Sequence, residues 1–416
     1  MKRLTKRKFS IENLRIRLKG CRFTHWLVVP LLLVGFLFAG CDQIQRMLAP
    51  LPSENGETVK IGFIYTTPNR LNSRYGAELA ANELNDEGGV RGTPIELVTH
   101  GVPTQRLLSE NISDTEYVAG ITEELITKDV VTAIAGPNRS THAVVVGEIV
   151  QRYGIPMITT GATNPAVTAA GDFVFMAAFT DDFQGKVMAQ FAVEDLGAKT
   201  AAVLTHMGDV YSEGLSETFM ANFTAHGGEV VSEKYYMAGA TDFTAQLTAI
   251  ANATPEVVFC TGFIPELPLV VRQAREEIGI TATFLGGDSW DNPGLIPEAG
   301  SAVDGSFFSS PFSVNADPSD LGEDAQRFIS AYTGTYNEVP DGGAALGYDA
   351  VRLLVQAMRR APDLAPTAIR DQIAATSDYN GATLISGYDE NRHTAKSAAI
   401  NRIVDGEVQF YKLIQP

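Results

Sequence analysis

The chain has 416 residues, 49 aspartates and glutamates against 32 lysines and arginines, a formal net charge of −17, and 45% hydrophobic residues. That length suits two lobes better than one core. The acidic balance argues against a nucleic-acid partner and against a polybasic membrane face.

The first forty residues differ from the rest. Lys2, Arg3, Lys6, Arg7, Lys8, Arg15, Arg17, Lys19 and Arg22 form a long basic region, and Trp26–Ala39 is an apolar run short for a permanent span. It ends in Leu37-Phe38-Ala39-Gly40-Cys41, which resembles a bacterial lipoprotein signal, with Phe38 where leucine is usual. On that resemblance residues 1–40 are a signal peptide, Cys41 is the lipidated N-terminus, and Asp42 is similar to the residue that keeps such proteins on the inner membrane of two-membrane bacteria. An uncleaved anchor helix is the alternative. Either way the remaining chain lies outside the cytoplasm, tethered to a membrane. Residues 41–56, with Pro50, Pro52, Ser53, Asn55 and Gly56, read as a polar tether. The leader carries nine basic residues and one acid, so its loss takes the net charge to about −25. Cys21 leaves with it, and Cys260, inside Val257-Val-Phe-Cys-Thr261, reads as a buried small hydrophobe with no disulfide partner.

Beyond the tether, strands and helices alternate, which predicts an α/β fold with parallel sheets. Thr58–Tyr65 is the first strand, Arg74–Asp86 a helix stopped by Glu87-Gly88-Gly89, and Pro94–His100 the second strand. A helical stretch lies between Ser109 and Lys128. Strand 130–135 leads into the turn Gly136-Pro-Asn-Arg-Ser-Thr141 and a helix over 143–153; strand 156–159 leads into Thr160-Gly-Ala-Thr-Asn-Pro165. At Thr180 the rhythm restarts. Asp181 and Gln184 have capping-box spacing, with Asp181 as the N-cap of a helix running to Leu196. Strands 200–205, 229–236, 256–261 and 281–285 then alternate with helices 212–226, 242–253 and 265–278. A further strand (304–312), three helices (320–336, 345–361, 367–376) and a hairpin about Asp405-Gly406 complete the chain.

Enzyme signals are thin. The chain has no Gly-x-Ser-x-Gly elbow, P-loop, His-Glu-x-x-His or Cys-x-x-Cys, and its histidines lack metal-ligand spacing. No catalytic residue, metal or cofactor is expected. Binding signals are better. In an open parallel sheet, ligands sit outside the carboxyl ends of the strands. There Ser140 and the Gly161-Ala162-Thr163 turn offer hydroxyls and backbone N–H groups suited to a carboxylate. Read singly, Ser140 is a helix N-cap and Thr163 a turn residue. In the second half, Tyr211, Phe263-Ile264 and Gly286-Gly-Asp288-Ser-Trp290 follow three strands, and Asp288 could face an ammonium group or be a solvated turn acid. Asp291 reads as a cap.

Taken in order, the motifs are Gly76-Ala-Glu-Leu-Ala-Ala-Asn-Glu-Leu-Asn85, Glu87-Gly-Gly-Val90, Gly136-Pro-x-x-Ser140, Gly154-Ile-Pro-x-Ile158 and Gly161-Ala-Thr-Asn-Pro165. Asp181-x-x-Gln-Gly185, Tyr211-Ser-Glu-Gly214, Asp242-Phe-Thr244, Arg272-Gln-Ala274 and Gly286-Gly-Asp288 follow. This set resembles the branched-chain amino-acid (Leu/Ile/Val-type) solute-binding proteins of ABC importers, over essentially the whole chain beyond the tether. The resemblance implies a type I periplasmic binding fold, two Rossmann-like lobes joined by three hinge crossovers that close on a ligand. The lobes map to residues 57–180 plus 312–385 and 181–311 plus 386–416. It also implies a small amino acid or related carboxylate as ligand and an importer permease as partner. Ser140 and Thr163, with the N–H groups of Gly161 and Ala162, would hold the α-carboxylate. Tyr211 and Asp288 would cover and pair the α-ammonium, with Phe263 or Ile264 against the ligand. Two departures stand out: the family's early disulfide is missing, and the first-strand loop carries Arg70 and Arg74, which could pair a polar or acidic side chain or simply be solvated. A sensor or scaffold lipoprotein of the same fold, or a receptor for amides, urea or aromatic acids, is the alternative.

Overall fold

The computed structural model describes residues 58–67 and 71–416. The signal peptide, the tether, Cys41 and Arg70 lie outside the described residues.

Alternating strands and helices build two sheets, each wrapped on both faces. The first has strand order β2-β1-β3-β4-β5, all parallel, from β1 (Val59–Thr67), β2 (Ile95–Pro103), β3 (Ala133–Ala135), β4 (Met157–Thr159) and β5 (Val174–Met176). Helices α1 (Leu71–Asp86), α2 (Thr104–Ser109), α3 (Asp114–Thr127) and α4 (Ser140–Tyr153) connect them. The second sheet has seven strands. Five are parallel: β6 (Thr200–His206), β7 (Glu229–Tyr236), β8 (Val257–Cys260), β9 (Thr283–Gly286) and β10 (Phe307–Ser310). The C-terminal hairpin, β13 (Ala398–Val404) and β14 (Glu407–Ile414), extends it antiparallel. Its helices are α5 (Asp181–Glu194), α6 (Val210–Ala225), α7 (Thr244–Ala253), α8 (Glu266–Arg272) and α9 (Leu295–Ala299).

Between β10 and β13 the chain returns to the first lobe with α10 (Pro318–Tyr336), α11 (Gly342–Arg360) and α12 (Pro366–Ala374). A small antiparallel pair, β11 (Ser377–Asn380) and β12 (Leu384–Gly387), follows them. One core packs β1, α1, α10, α11 and α12 together, around Phe63, Leu84, Phe328, Leu354 and Ile373. A second lies on the opposite face of the same sheet with α3 and α4, and two more sandwich the larger sheet. Such two-faced covering explains why the strands read as nearly continuous apolar runs. The chain passes between the two sheets' lobes after β5, after β10 and before β13, so the fold is two Rossmann-like lobes with three crossovers. Helices α1 and α11 approach unusually closely. A Cβ at Gly76 would lie 1.9 Å from the Ala344 carbonyl, and one at Gly347 2.0 Å from that of Ser73, so only glycine fits either crossing point.

The structure corrects several local expectations. Thr180, not Asp181, caps α5: its hydroxyl accepts the Phe183 N–H, and Asp181 is the first, buried residue of the helix. Gln184 does not reach back to the cap backbone; its carbonyl is used elsewhere, as described below. Ser140 is likewise the first residue of α4, not its N-cap. The helix expected between Ser109 and Lys128 is α3, starting at Asp114, with a separate short helix, α2, before it that was not expected; the helix from Pro265 ends in a π-helical turn, Gln273–Ile278. Strands β5, β11 and β12 were not anticipated, because runs of three or four residues carry too little periodicity.

Candidate functional site

The turns after β3 and β4 face the turn after β9 across the gap between the lobes. The narrow space between them is lined by Asn138, Thr160 and Gly161 from the first lobe and by Asp288 and Asp291 from the second. The N-terminus of α11 (Gly342, Gly343 and Leu346) closes it at one side.

Two of the expected site residues, Gly161 and Asp288, therefore meet across this cavity. Ser140 and Thr163 lie just behind it, both buried. The Ser140 hydroxyl accepts the N–H groups of Thr163 (3.3 Å) and Asn164 (3.2 Å), which ties the two first-lobe turns together and orients the Gly161-Ala162 backbone. Asp288 is 7% exposed, and its N–H donates to the Gln184 carbonyl at 2.6 Å. That same oxygen accepts the Ser309 hydroxyl at 2.8 Å. Tyr211 sits beneath the Asp288 turn and does not line the cavity: its hydroxyl donates to Ser289 Oγ (3.2 Å) and accepts the Ser289 N–H (3.3 Å). A Cβ on Gly287 would lie 2.4 Å from that hydroxyl, so glycine is needed where the tyrosine supports the turn. Phe263 packs 5.4 Å from the Tyr211 ring, and Ile264 belongs to the second-lobe core. Neither lines the cavity. Arg74 donates to Glu78 and Tyr65 and does not line the cavity.

The electrostatics centre on two acids. Burial pushes the Asp181 carboxyl well above the usual carboxylate range, and the nearby Asp288 charge adds to this against the hydroxyl of Thr163. The Tyr211 phenol is raised too, by burial and then by Asp288 and Asp181. Asp291, expected to be a cap, spans the lobes. Its Oδ2 accepts the Ser310 hydroxyl (2.6 Å) and the Gly342 N–H (2.9 Å).

A second bridge between the lobes was not singled out from the sequence. The Arg139 guanidinium donates to Asp209 Oδ2 at 2.9 Å, and Thr141 Oγ1 donates to the same oxygen at 2.9 Å. Asn164 Nδ2 donates to the Val210 carbonyl, and the Val210 N–H donates to Thr141 Oγ1. Arg139 also stacks 4.2 Å over the Phe263 ring. Burial opposes the charge on Asp209, but Arg139, His206 and the Ser212 N–H hold its carboxyl below the usual range. Both partners are desolvated here and would return to water if the lobes parted, so the pair favours the closed arrangement. Arg139→Met keeps the contact with Phe263 and removes the charge. It is expected to weaken any cleft ligand by about thirtyfold, roughly 2 kcal/mol, and to enlarge the ligand-free particle in small-angle scattering. Wild-type affinity together with an unchanged radius of gyration would rule the latch out.

Among the described residues no group of three His, Cys, Asp or Glu side chains is placed to hold a metal, and no helix is long and apolar enough to cross a membrane.

The periplasmic binding protein family matches this chain over residues 58–406, and the chain belongs to it. An amino acid binding protein of Pseudomonas aeruginosa is 32% identical over 54% of this chain, which spans 58% of that protein's length. The leucine-, isoleucine-, valine-, threonine- and alanine-binding protein of the same organism is 27% identical over 76% of this chain and 80% of its own. The solved structure of the branched-chain amino acid transporter substrate binding protein LivJ from Streptococcus pneumoniae, in complex with isoleucine, is 30% identical. It superposes with a TM-score of 0.78 over 86% of this chain and all of that one. Two of these relatives are named for branched-chain amino acids, the type that the ordered motifs resemble, and the chain is a solute-binding protein, not an enzyme.

Proposed function

We propose that this chain is an extracytoplasmic receptor of an ABC importer that closes its lobes on a small amino acid or related carboxylate and passes it to a permease. The observation that carries this reading is the meeting of the Gly161 turn and Asp288 across one cavity, one side rich in backbone donors and the other acidic. In this reading the N–H groups of Gly161 and Ala162, oriented by Ser140 and Thr163, hold the α-carboxylate, and Asp288 pairs the α-ammonium. Tyr211, Phe263 and Ile264 act from beneath, keeping the Asp288 turn and the Arg139 latch in place. The lobes divide at 57–180 plus 312–385 and 181–311 plus 386–416. The names of the relatives, which bind amino acids, support the ligand class. Titration calorimetry of the purified protein against the amino acids tests the reading, and heat from none of them would overturn it.

The same reading makes the protein a lipoprotein. Cys41 is expected to be acylated after removal of residues 1–40, which would leave it on the cytoplasmic membrane. Mass spectrometry of the native protein should show the lipid, and Cys41→Ser should abolish both lipid and cleavage. Finding residues 1–40 still attached to the mature wild-type protein would refute the anchor.

A further inference from the structure

The lining of the cavity is at odds with a branched hydrocarbon ligand. Pro311 and Leu346 supply its only hydrocarbon side chains among the described residues; the rest of the wall is polar or glycine. Two of the polar groups have nothing to bond. Asn138 is 7% exposed, and its Oδ1 accepts the Thr66 N–H at 2.9 Å. That bond settles which end of the amide is oxygen and leaves Nδ2 as a buried donor with no partner. Thr160 is 1% exposed, and its hydroxyl is also without a partner. The two are neighbours, since the Thr160 N–H donates to the Pro137 carbonyl and Gly161 lies against the Asn138 backbone.

We infer that the ligand's side chain ends in an acceptor oxygen (amide, hydroxyl or carboxylate) that takes hydrogen bonds from Asn138 Nδ2 and Thr160 Oγ1. The inference rests on the amino-acid reading above, in which the Gly161-Ala162 turn and Asp288 already account for the ligand's two charged ends. A leucine or valine side chain against Asn138 would bury its donor permanently unpaired, and sites built to hydrogen-bond a polar group reject analogues that lack it far more strongly than apolar pockets discriminate by size. The first strand supports the same polarity, because Thr66, at its end, holds the Asn138 amide in place from behind.

The test is calorimetric affinity for serine, threonine, asparagine, glutamine, aspartate and glutamate against leucine, isoleucine and valine. It is run on the wild type and on Asn138→Leu, with Thr160→Val as an independent variant and a thermal melt to confirm that each folds. The best oxygen-bearing ligand is expected to bind the wild type at least tenfold tighter than any of the three branched ones. Its rank among amide, hydroxyl and carboxylate identifies the group recognised. Asn138→Leu should cost that ligand at least tenfold while leaving the branched ligands unharmed or improved. Branched ligands binding the wild type as well as or better than the polar ones would overturn the inference and leave the amino-acid reading intact. An equal loss for every ligand in Asn138→Leu would also overturn it, because Asn138 would then hold a group common to all amino acids. If none of the nine binds and no other amino acid does, both readings fall together.

Discussion

Asp288→Ala is expected to weaken amino-acid binding by roughly thirty- to several-thousandfold, the result of losing one partner of a desolvated charge pair at a cost of about 2–5 kcal/mol. Closing the cleft strips water from the ligand's ammonium, and a carboxylate beside it must replace that hydration. Asp288→Asn keeps the shape and removes the charge, so it should lose most of the same energy. Folding stability should move the other way. Asp288 lies near Asp181, and its charge helps push that buried carboxyl up. Removing the charge relieves the repulsion, so the ligand-free variant should melt at the wild-type temperature or above it. A decisive experiment pairs calorimetry with a melting curve on Asp288→Asn. Native-like affinity would place the ammonium elsewhere, and a lower melting temperature would show that the acid serves the fold instead of the ligand.

Asp349→Ala is expected to destabilise the fold by about 3–5 kcal/mol, because it breaks a fully buried ionic cluster by removing one partner. Asp349 sits in the middle of α11. Its oxygens accept the Tyr379 hydroxyl (2.8 Å), the N–H groups of Ala382 (2.8 Å) and Thr383 (2.9 Å), and the Thr383 hydroxyl. Lys396, also buried, donates to the Thr383 hydroxyl. This cluster fixes the third crossover, the segment between α12 and β13, against the first lobe. Denaturant unfolding reads the loss, and the double variant Asp349→Ala/Lys396→Met should recover part of it, since no buried ammonium is then left alone. A loss below about 1 kcal/mol in the single variant would show that the crossover is held by other contacts. The cluster also has a pH signature. Burial lowers the Lys396 pKa to about 8, with the Asp349 charge opposing, whereas an unfolded lysine titrates near 10.4. Between those values the unfolded chain binds the additional proton, so this group makes stability rise with pH from about 8 to about 10. Lys396→Met should lack that rise. An identical pH profile in the two proteins would remove Lys396 from the explanation.

The sequence by itself determined the alternating α/β order and most element positions. The strand expected over 229–236 is found at those residues, and the hairpin turns at Asp405-Gly406 as expected. It also singled out the turns after strands, and two residues of those turns, Gly161 and Asp288, line one cavity from opposite lobes. These signals are local: periods of 2 and 3.6, glycine in turns, and polar residues after apolar runs. Only the tertiary structure decided which side chains do what within those turns. Ser140 reads locally as a cap, yet its hydroxyl is used by N–H groups 23 and 24 residues away. Tyr211 reads as a ligand cover, yet it supports Ser289, 78 residues away, from below. The Arg139–Asp209 latch joins residues 70 apart, and the Asn138 amide is held through its oxygen by the Thr66 N–H, 72 residues distant. A side chain's direction is set by what packs against it, and packing partners separated by a whole lobe leave no periodic trace in the chain.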